Sequence, residues 1–452
     1  MNSSINLITA KEILWDVIII GAGPAGSFTA ITLKNLDPKL QVLILEKEQF
    51  PRQKVCGCCL SPRGVEILSN YGVYESLKSY TLNLNEAYVL TKNSCKSIKL
   101  TGGVTINRDN LDFTLLENAL SKDANVIFQI KVEDISIEEN NAVAHILDLK
   151  NHSFHQFRSK IIIKASGLSG INFLNERKNI DSNSYIGIGG ITSILDPEPY
   201  INSVAKKSKI YMALGNDGYL GCVQLADNQI DFAGALSPKL IKSQGSIDLA
   251  VQHILKDTNL ENLIEFLPKT WKATPQLSRT SSLSGIRYFS VGDACGYVEP
   301  FTGEGMTWAL ESALLVSPLV IGAVKRWDDL FIIQWSLLYN NKIKKSQLIS
   351  QNLKHNFDGW INTTDYKSSK IENFAIHPGG PKIIETCVST LNASKDSCLI
   401  AKNVLRNFGN MSSVTILFVL ESLFTQKIAL PFVAVGFGPG ITVEMMLIGA
   451  SQ

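Results

Sequence analysis

Three groups of residues have the types and spacing to do chemistry. The first is Gly21, Gly23 and Gly26, which follow the branched apolar run Val17–Ile20 in G-x-G-x-x-G spacing. After a buried strand, the first glycine of such a set makes a tight turn. The second lets backbone approach a pyrophosphate, and the third lets helix pack on strand. The helix that follows offers its free N–H groups and positive dipole end to the phosphates. Glu46 closes the next apolar run, 20 residues beyond Gly26, where an acid meets a ribose hydroxyl. Strand, helix and distal acid in register predict a dinucleotide site, and the acid argues against a 2′-phosphate on that ribose.

The second group lies about 270 residues further on, in Ser290-Val-Gly-Asp-Ala-Cys-Gly-Tyr-Val-Glu-Pro-Phe-Thr-Gly-Glu-Gly-Met306. Asp293, at a strand end, can bond sugar-alcohol hydroxyls. Pro300, Gly303, Gly305 and Met306 form a turn whose glycines let backbone lie close to a flat ring at a helix N-terminus. A helix end aimed at a ring stabilises negative charge that develops on reduction. With the N-terminal motif, this predicts one extended FAD held at both ends. The third group is His377, at a strand end before Pro-Gly-Gly, and Asn410, in Phe408-Gly-Asn-Met-Ser-Ser413.

The elements that must position these residues are legible in outline. The first unit reads βαβ to about Glu46. A basic loop from Phe50 carries Arg52 and Lys54 and leads to a helix start at Ser61-Pro62, with Ser61 as cap and Pro62 in the first turn. Leu115–Leu120 has helical spacing, while Val126–Ile130 and Ala142–Ile146 alternate like strands. Ile161–Gly167 is a second buried strand ending in a small-residue turn. Tyr185–Leu236 predicts an antiparallel sheet inserted between the halves of the nucleotide-binding fold. A helical piece over Ile247–Leu267 and a return to the core sheet at Phe289 follow. The expected fold class is α/β, a Rossmann-like FAD-binding domain with an inserted antiparallel-sheet substrate domain, followed by a partial α/β tail.

Composition bounds the function classes. The chain has 452 residues, 45% hydrophobic and 19% charged, which is ordinary globular composition with room for more than one domain. A net charge of +2 gives no reason to expect a nucleic-acid or acidic-membrane partner. The eight cysteines are irregularly spaced, and Cys56, Cys58 and Cys59 make poor zinc spacing, so the thiols are expected to be reduced and no metal is expected. No signal peptide is indicated, which predicts a cytoplasmic protein. Two apolar stretches, Gly305–Val324 and Val414–Phe437, read as buried elements rather than membrane spans.

Residues 1–341 resemble a flavoprotein oxidoreductase of the aromatic-hydroxylase fold, closest to its geranylgeranyl-reductase-like branch, with inserted segments near 75–105 and 172–275. The resemblance implies Gly21, Gly23, Gly26 and Glu46 for the ADP half and Asp293 for the ribityl chain. It places Arg108 near the phosphates and the Pro300–Met306 turn against the flavin ring. Phe50-Pro-Arg-x-Lys-x-Cys-Gly57 matches the same branch and places Arg52 and Lys54 near the flavin's edge; on charge alone, Arg52, Lys54 and Arg63 also read as a solvated basic loop. The implied reaction is hydride uptake by the flavin, with NADH or NADPH as transient reductant, followed by substrate reduction or by oxygen activation for hydroxylation. The flavin carries that chemistry and the protein supplies orientation and field. Departures are informative. Ser166-Gly167 replaces the usual Asp-Gly, Gly218–Val223 replaces the reductases' aromatic pocket motif, and no Trp-x-Trp pair of the flavin halogenases is present. Tyr219 and Cys222 either line the substrate cavity or pack the sheet, and packing is the preferred reading.

Residues 342–452 resemble the C-terminal part of a type III polyketide synthase of the thiolase fold, on the His377-Pro-Gly-Gly380, Phe408–Ser413 and Gly436-Phe-Gly-Pro-Gly440 motifs in that order. His377 and Asn410 match that family's catalytic histidine and asparagine. There, a cysteine thiolate takes the acyl chain while histidine and asparagine stabilise the enolate formed on decarboxylation. The family's nucleophilic cysteine lies in an N-terminal half that this chain replaces with flavoprotein. Cys387 and Cys398 match no nucleophile position and read as core thiols. The tail is then a fusion remnant, a docking element for a separate type III polyketide synthase, or a complement to another chain. Such an unpaired piece should expose apolar surface. The main reading is an oxidoreductase acting on a hydrophobic or polyketide-type small molecule. The alternative is a polyketide-type acyltransferase with an accessory flavin half, and a third reading is an interaction protein with both halves inactive.

Overall fold

The computed structural model describes residues 1–92, 94–100, 102–169, 184–193, 208–215, 217–277, 279–297, 304–344, 347, 371–391, 393–410, 415–437 and 443–449. The chain forms two compact units, dividing between Tyr339 and Asn340.

The first unit begins with strand β1 (Leu14–Ile20), helix α1 (Pro24–Leu36) and strand β2 (Val42–Glu46). Helix α2 (Pro62–Asn70), strands β3 (Glu86–Thr91) and β4 (Ser94–Lys99) and helix α3 (Arg108–Leu120) follow. Next come β5 (Asn125–Phe128), β6 (Ile130–Ile137), β7 (Ala142–Asp148) and β8 (Ser153–Lys164). Four strands then run as β9 (Ile186–Ser193), β10 (Lys209–Gly215), β11 (Gly218–Gln224) and β12 (Gln229–Leu236). Helix α4 (Ile247–Asp257) and strands β13 (Lys272–Gln276), β14 (Ser284–Gly285) and β15 (Tyr288–Ser290) lead to helices α5 (Gly305–Lys325) and α6 (Leu330–Tyr339). Ser61 caps α2 by accepting from the Gly64 amide, with Pro62 in the first turn. The helical piece after Ile247 is two elements, α4 and a 3-10 turn over Glu261–Phe266.

The first sheet runs β14-β15-β8-β1-β2-β5, and β7 joins it by pairing with β8 and β6. Strands β15, β8, β1, β2 and β5 are parallel, with Ile18 opposite both Ile162 and Leu43. Every residue from Val17 to Ile20 is buried, which is why the run reads as continuous hydrophobe rather than alternation. From β1 the chain moves to β2 and β5 on one side and later returns to β8 on the other. That reversal leaves a crevice outside the carboxyl ends of β1 and β8, where open α/β sheets bind ligands. Helix α1 lies against this sheet between α3 and α5, so that all of Pro24–Lys34 is buried.

The second sheet runs β13-β9-β12-β11-β10-β3-β4. Its neighbours are antiparallel except at β10 and β3, which pair in parallel; there the expected all-antiparallel arrangement does not hold. The long connection from β4 back to β10 allows that join, which a hairpin could not. One face packs Leu220, Cys222, Ile230 and Phe232 under Val251, Ile254 and Leu255 of α4. The other carries Tyr219, Gly221 and Val223 of β11 opposite Ala235, Ala233 and Asp231 of β12.

In the second unit, strand β16 (Asn373–Ile376) precedes helices α7 (Pro381–Leu391), α8 (Lys395–Phe408) and α9 (Thr415–Thr425). Strands β17 (Phe432–Phe437) and β18 (Val443–Ile448) complete a sheet in which β17 pairs in parallel with β16 and antiparallel with β18. One face packs Phe374, Ile376, Val433 and Val435 against Ile384, Cys387 and Leu391; the other packs Ala375, Phe432 and Ala434 against Val404, Val419 and Leu423. Cys387 is fully buried in the core, and half-buried Cys398 packs against that core. Leu399, Phe408, Leu417, Phe424 and Met446 are each more than half exposed. Among the described residues one helix, α5, is long and apolar enough to cross a membrane, and 61% of its apolar stretch is buried inside the protein.

Candidate functional site

The glycine turn sits in the crevice after β1, and each glycine does a different job. Gly21 has φ +104°, and a Cβ there would lie 2.5 Å from the carbonyl oxygen of Ala165 at the end of β8. A Cβ on Gly26 would lie 1.9 Å from the Gly21 oxygen, so only glycine lets α1 start directly over the turn. Gly23 is the N-cap of α1, followed by Pro24. A Cβ on Gly23 would meet only the Arg52 guanidinium at 3.7 Å and the Arg108 guanidinium at 3.9 Å. The helix N-terminus therefore opens onto space flanked by two cations. Glu46, buried, accepts from the Ala22 amide at 2.7 Å and from the Glu48 amide at 2.9 Å. It thus braces the glycine turn.

The cations are held by acids. Arg108, first residue of α3, makes a bidentate pair with Asp112 at 2.8 Å and 2.8 Å. Asp112 also lies 3.4 Å from Arg52, which stands 3.6 Å from Glu46 and over the Phe50 ring. Arg52 is found beside the glycine turn, and its buried Nε has no hydrogen-bond partner. Burial and the neighbouring Arg52 charge lower the Lys54 pKa. Arg63 is half-exposed and pairs with Glu66 and Glu311. Asp112 lies outside the sequence motifs, although Arg108 and Asp112 stand at i, i+4 on one helix face, which is the signal for such a pair.

Asp293 returns from late in the first unit's sequence to the same place. It lies in the 3-10 turn Gly292–Cys295 that follows β15. A Cβ on Gly292, at φ +60°, would come 2.8 Å from the Ala25 Cβ, so glycine lets this turn press onto the start of α1. The Gly292 amide donates to Ser312 of α5 at 2.8 Å. Burial raises the Asp293 carboxyl to about 6, opposed by the positive charge of Arg108. Gly305 is the first residue of α5 and Met306, the second, is buried. Pro300 and Gly303 lie outside the described residues.

The face of the second sheet away from α4 carries half-buried Tyr219, Met212 and Leu214. Met212 lies over Gly221, where a Cβ would come 2.9 Å from its sulfur. Cys222 points to the opposite face and packs in the α4 core. Among the described residues, no group of three or more His, Cys, Asp or Glu could hold a metal ion.

In the second unit His377 follows β16 and is buried, its amide donating to the Val435 oxygen at 2.9 Å. The Gly379 amide donates back to the His377 oxygen at 2.9 Å, which closes the turn into α7. Asn410 hydrogen-bonds the His377 side chain, and its Nδ2 donates to the Gly379 oxygen at 3.4 Å. Burial lowers the His377 pKa and the Asn410 bond opposes that shift. The two residues, 33 apart in sequence, are thus brought together at one sheet edge.

A parallel sheet with a switch point, a glycine turn at a helix N-terminus and a carboxylate returning to it define a dinucleotide-binding flavoprotein fold. The chain belongs to the FAD binding domain family, whose profile matches residues 15–318. Residues 340–451 match the C-terminal domain of chalcone and stilbene synthases. That tail is similar to the alpha-pyrone synthesis polyketide synthase-like Pks18 of Mycobacterium tuberculosis, 49% identical over 83 residues, 18% of this chain and 21% of Pks18. The chain therefore spans about a fifth of the length of Pks18. The remainder is similar to digeranylgeranylglycerophospholipid reductase 1 of Methanococcoides burtonii, 22% identical, covering 75% of this chain and 83% of that one. In fold the chain is similar to the halogenase PltM in complex with phloroglucinol and FAD, with a TM-score of 0.61 at 16% identity, covering 91% of this chain and 84% of that one.

Proposed function

We propose that this protein is an FAD-dependent oxidoreductase that reduces or hydroxylates a hydrophobic or polyketide-type small molecule, with NADH or NADPH as electron source. The observation that carries the reading is the open N-cap at Gly23, flanked by the Arg52 and Arg108 guanidiniums and braced by Glu46. The unpartnered Arg52 Nε and the free amides of α1 are donors suited to a pyrophosphate.

In this reading Gly21, Gly23 and Gly26 admit the pyrophosphate, and Arg52 and Arg108 neutralise it. Glu46 keeps carboxylate lone pairs for a ribose hydroxyl while it holds the turn. Asp293 takes the ribityl hydroxyls, and Gly305 and Met306 set the α5 N-terminus toward the ring. When bound, FAD supplies hydride transfer or oxygen activation, chemistry that no side chain of the chain provides. The half-buried apolar face at Tyr219, Met212 and Leu214 offers a flat surface to an apolar substrate. Absence of a Trp-x-Trp pair favours reduction or hydroxylation over halogenation. Anaerobic addition of NADH or NADPH to the reconstituted protein tests the reading: the flavin absorbance should bleach, and an unchanged spectrum would remove the nicotinamide-driven mechanism.

The His377–Asn410 hydrogen bond favours a second reading, acyl transfer by the tail. The pair supplies the enolate-stabilising half of that site but not its nucleophile, and the described cysteines of the tail are buried or pack in its core. Incubation with malonyl thioester and an acyl starter should give no condensation product. Product that is lost in His377→Ala would establish the second reading.

A further inference from the structure

We propose that Cys56 and Cys58 form a redox-active dithiol that reduces hydroperoxides and closes to a disulfide. The two thiols are hydrogen-bonded to each other and, with Cys59, pack against Val223 and Leu225 on the sheet face away from α4. Cys58 has φ +50°, in the left-handed region, so the chain doubles back at this point. Only Gly57 intervenes. It is exposed, and a Cβ placed on it would meet nothing within 4 Å, so the turn is open to a small solute. The two thiols differ in surroundings as an attacking and a resolving cysteine should. The half-buried Cys56 sulfur accepts from the Arg108 guanidinium, which favours thiolate. Cys58 is buried near Asp231; the Cys56 hydrogen bond and burial push the Cys58 thiol, and burial pushes the Asp231 carboxyl, well above their usual ranges, so both keep their protons. The Cys56 pKa, drawn down to about 6 by the Cys58 hydrogen bond and Arg108 against the opposing effect of burial, agrees with this division.

The chemistry balances with hydrogen peroxide as oxidant. The Cys56 thiolate attacks one peroxide oxygen, an S–O bond forms, the O–O bond breaks, and hydroxide leaves as water after taking a solvent proton. Cys56 is then a sulfenic acid. Cys58 attacks the Cys56 sulfur as its thiol proton passes to the departing hydroxide; the S–S bond forms, the S–O bond breaks, and the hydroxide with that proton becomes a second water. Two thiols are oxidised to one disulfide and one peroxide is reduced to two waters. Because Arg108 also borders Gly23, closing the disulfide removes a hydrogen-bond partner from a residue at the dinucleotide pocket.

The test adds peroxide directly to the reduced full-length protein, so its outcome is separable from any failure of the flavin reading. After brief exposure to equimolar hydrogen peroxide, thiols are alkylated under denaturing conditions and the peptide spanning residues 56–59 is weighed. The proposal predicts an internal Cys56–Cys58 disulfide, two alkylatable thiols fewer, restored by dithiothreitol, while exposed Cys95 stays fully alkylated. In Cys58→Ser, Cys56 should be trapped by dimedone as the sulfenic acid. Cys56 that stays alkylatable in the wild type while Cys95 is oxidised would overturn the proposal. So would a disulfide that joins Cys59 and leaves either Cys56 or Cys58 free.

Discussion

At the scale of single residues, two titrations carry the argument. Asp293 has a carboxyl raised by burial from the usual 3.8 to about 6. A raised carboxyl pKa in the folded state means that stability is fully present below about 3.8 and is lost as pH rises through about 6. The thermal midpoint of FAD-free protein should therefore fall across that window, and Asp293→Asn should remove part of the fall. Identical slopes for the two proteins would show that Asp293 is solvated. Asn410 raises the pKa of His377 against the lowering by burial. Asn410→Ala should therefore shift the His377 ring titration to lower pH by NMR, with the histidine assigned from His377→Gln. A titration that moves upward or stays in place would dissolve the pair.

At the scale of elements, the βαβ start is where sequence and structure meet most closely, because each of its glycines is required by a local clash that spacing alone encodes. The two kinds of requirement can be separated by experiment. In Gly26→Ala a Cβ 1.9 Å from the Gly21 oxygen forces α1 off the turn, so both folding stability and FAD binding should drop. In Gly23→Ala the Cβ meets only guanidiniums at 3.7 and 3.9 Å, so the FAD-free protein should keep its thermal midpoint within about 1 °C while FAD affinity falls at least about tenfold. Equal damage to stability from both would mean that Gly23 is structural. Other elements were less legible. The parallel β3–β10 pairing joins segments more than 100 residues apart, and strand alternation specifies which face is buried but not the partner. The Arg52–Glu46–Asp112–Arg108 network unites three separate elements, so its members read singly, Glu46 as a ribose acid, Arg52 as part of a basic loop and Arg108 only through the family resemblance. The thiol cluster was visible only as poor zinc spacing, because its surroundings, Arg108, Val223 and Leu225, come from parts of the chain far along the sequence.

At the scale of the whole molecule, one chain carries two compact units with separate ancestries. The first holds a crevice whose donors, glycines and returning carboxylate converge from both ends of its sequence. The second holds a His–Asn pair on a three-stranded sheet packed by helices on both faces, with several large apolar side chains exposed. Motif order was readable in both units because each motif is local. The pairing of motifs in space depends on the sheets, and His377 meets Asn410 at the turn after β16, where the Gly379 oxygen also accepts from the Asn410 side chain. The central claim is that the first unit holds FAD between the Gly23 pocket and Asp293. Its most direct test is titration of the purified full-length protein with FAD, followed by absorbance and by intact mass after gel filtration. The account predicts a yellow protein retaining one FAD per 49.7 kDa chain, with retention lost in Gly23→Ala. A folded chain that remains colourless at saturating FAD would contradict it.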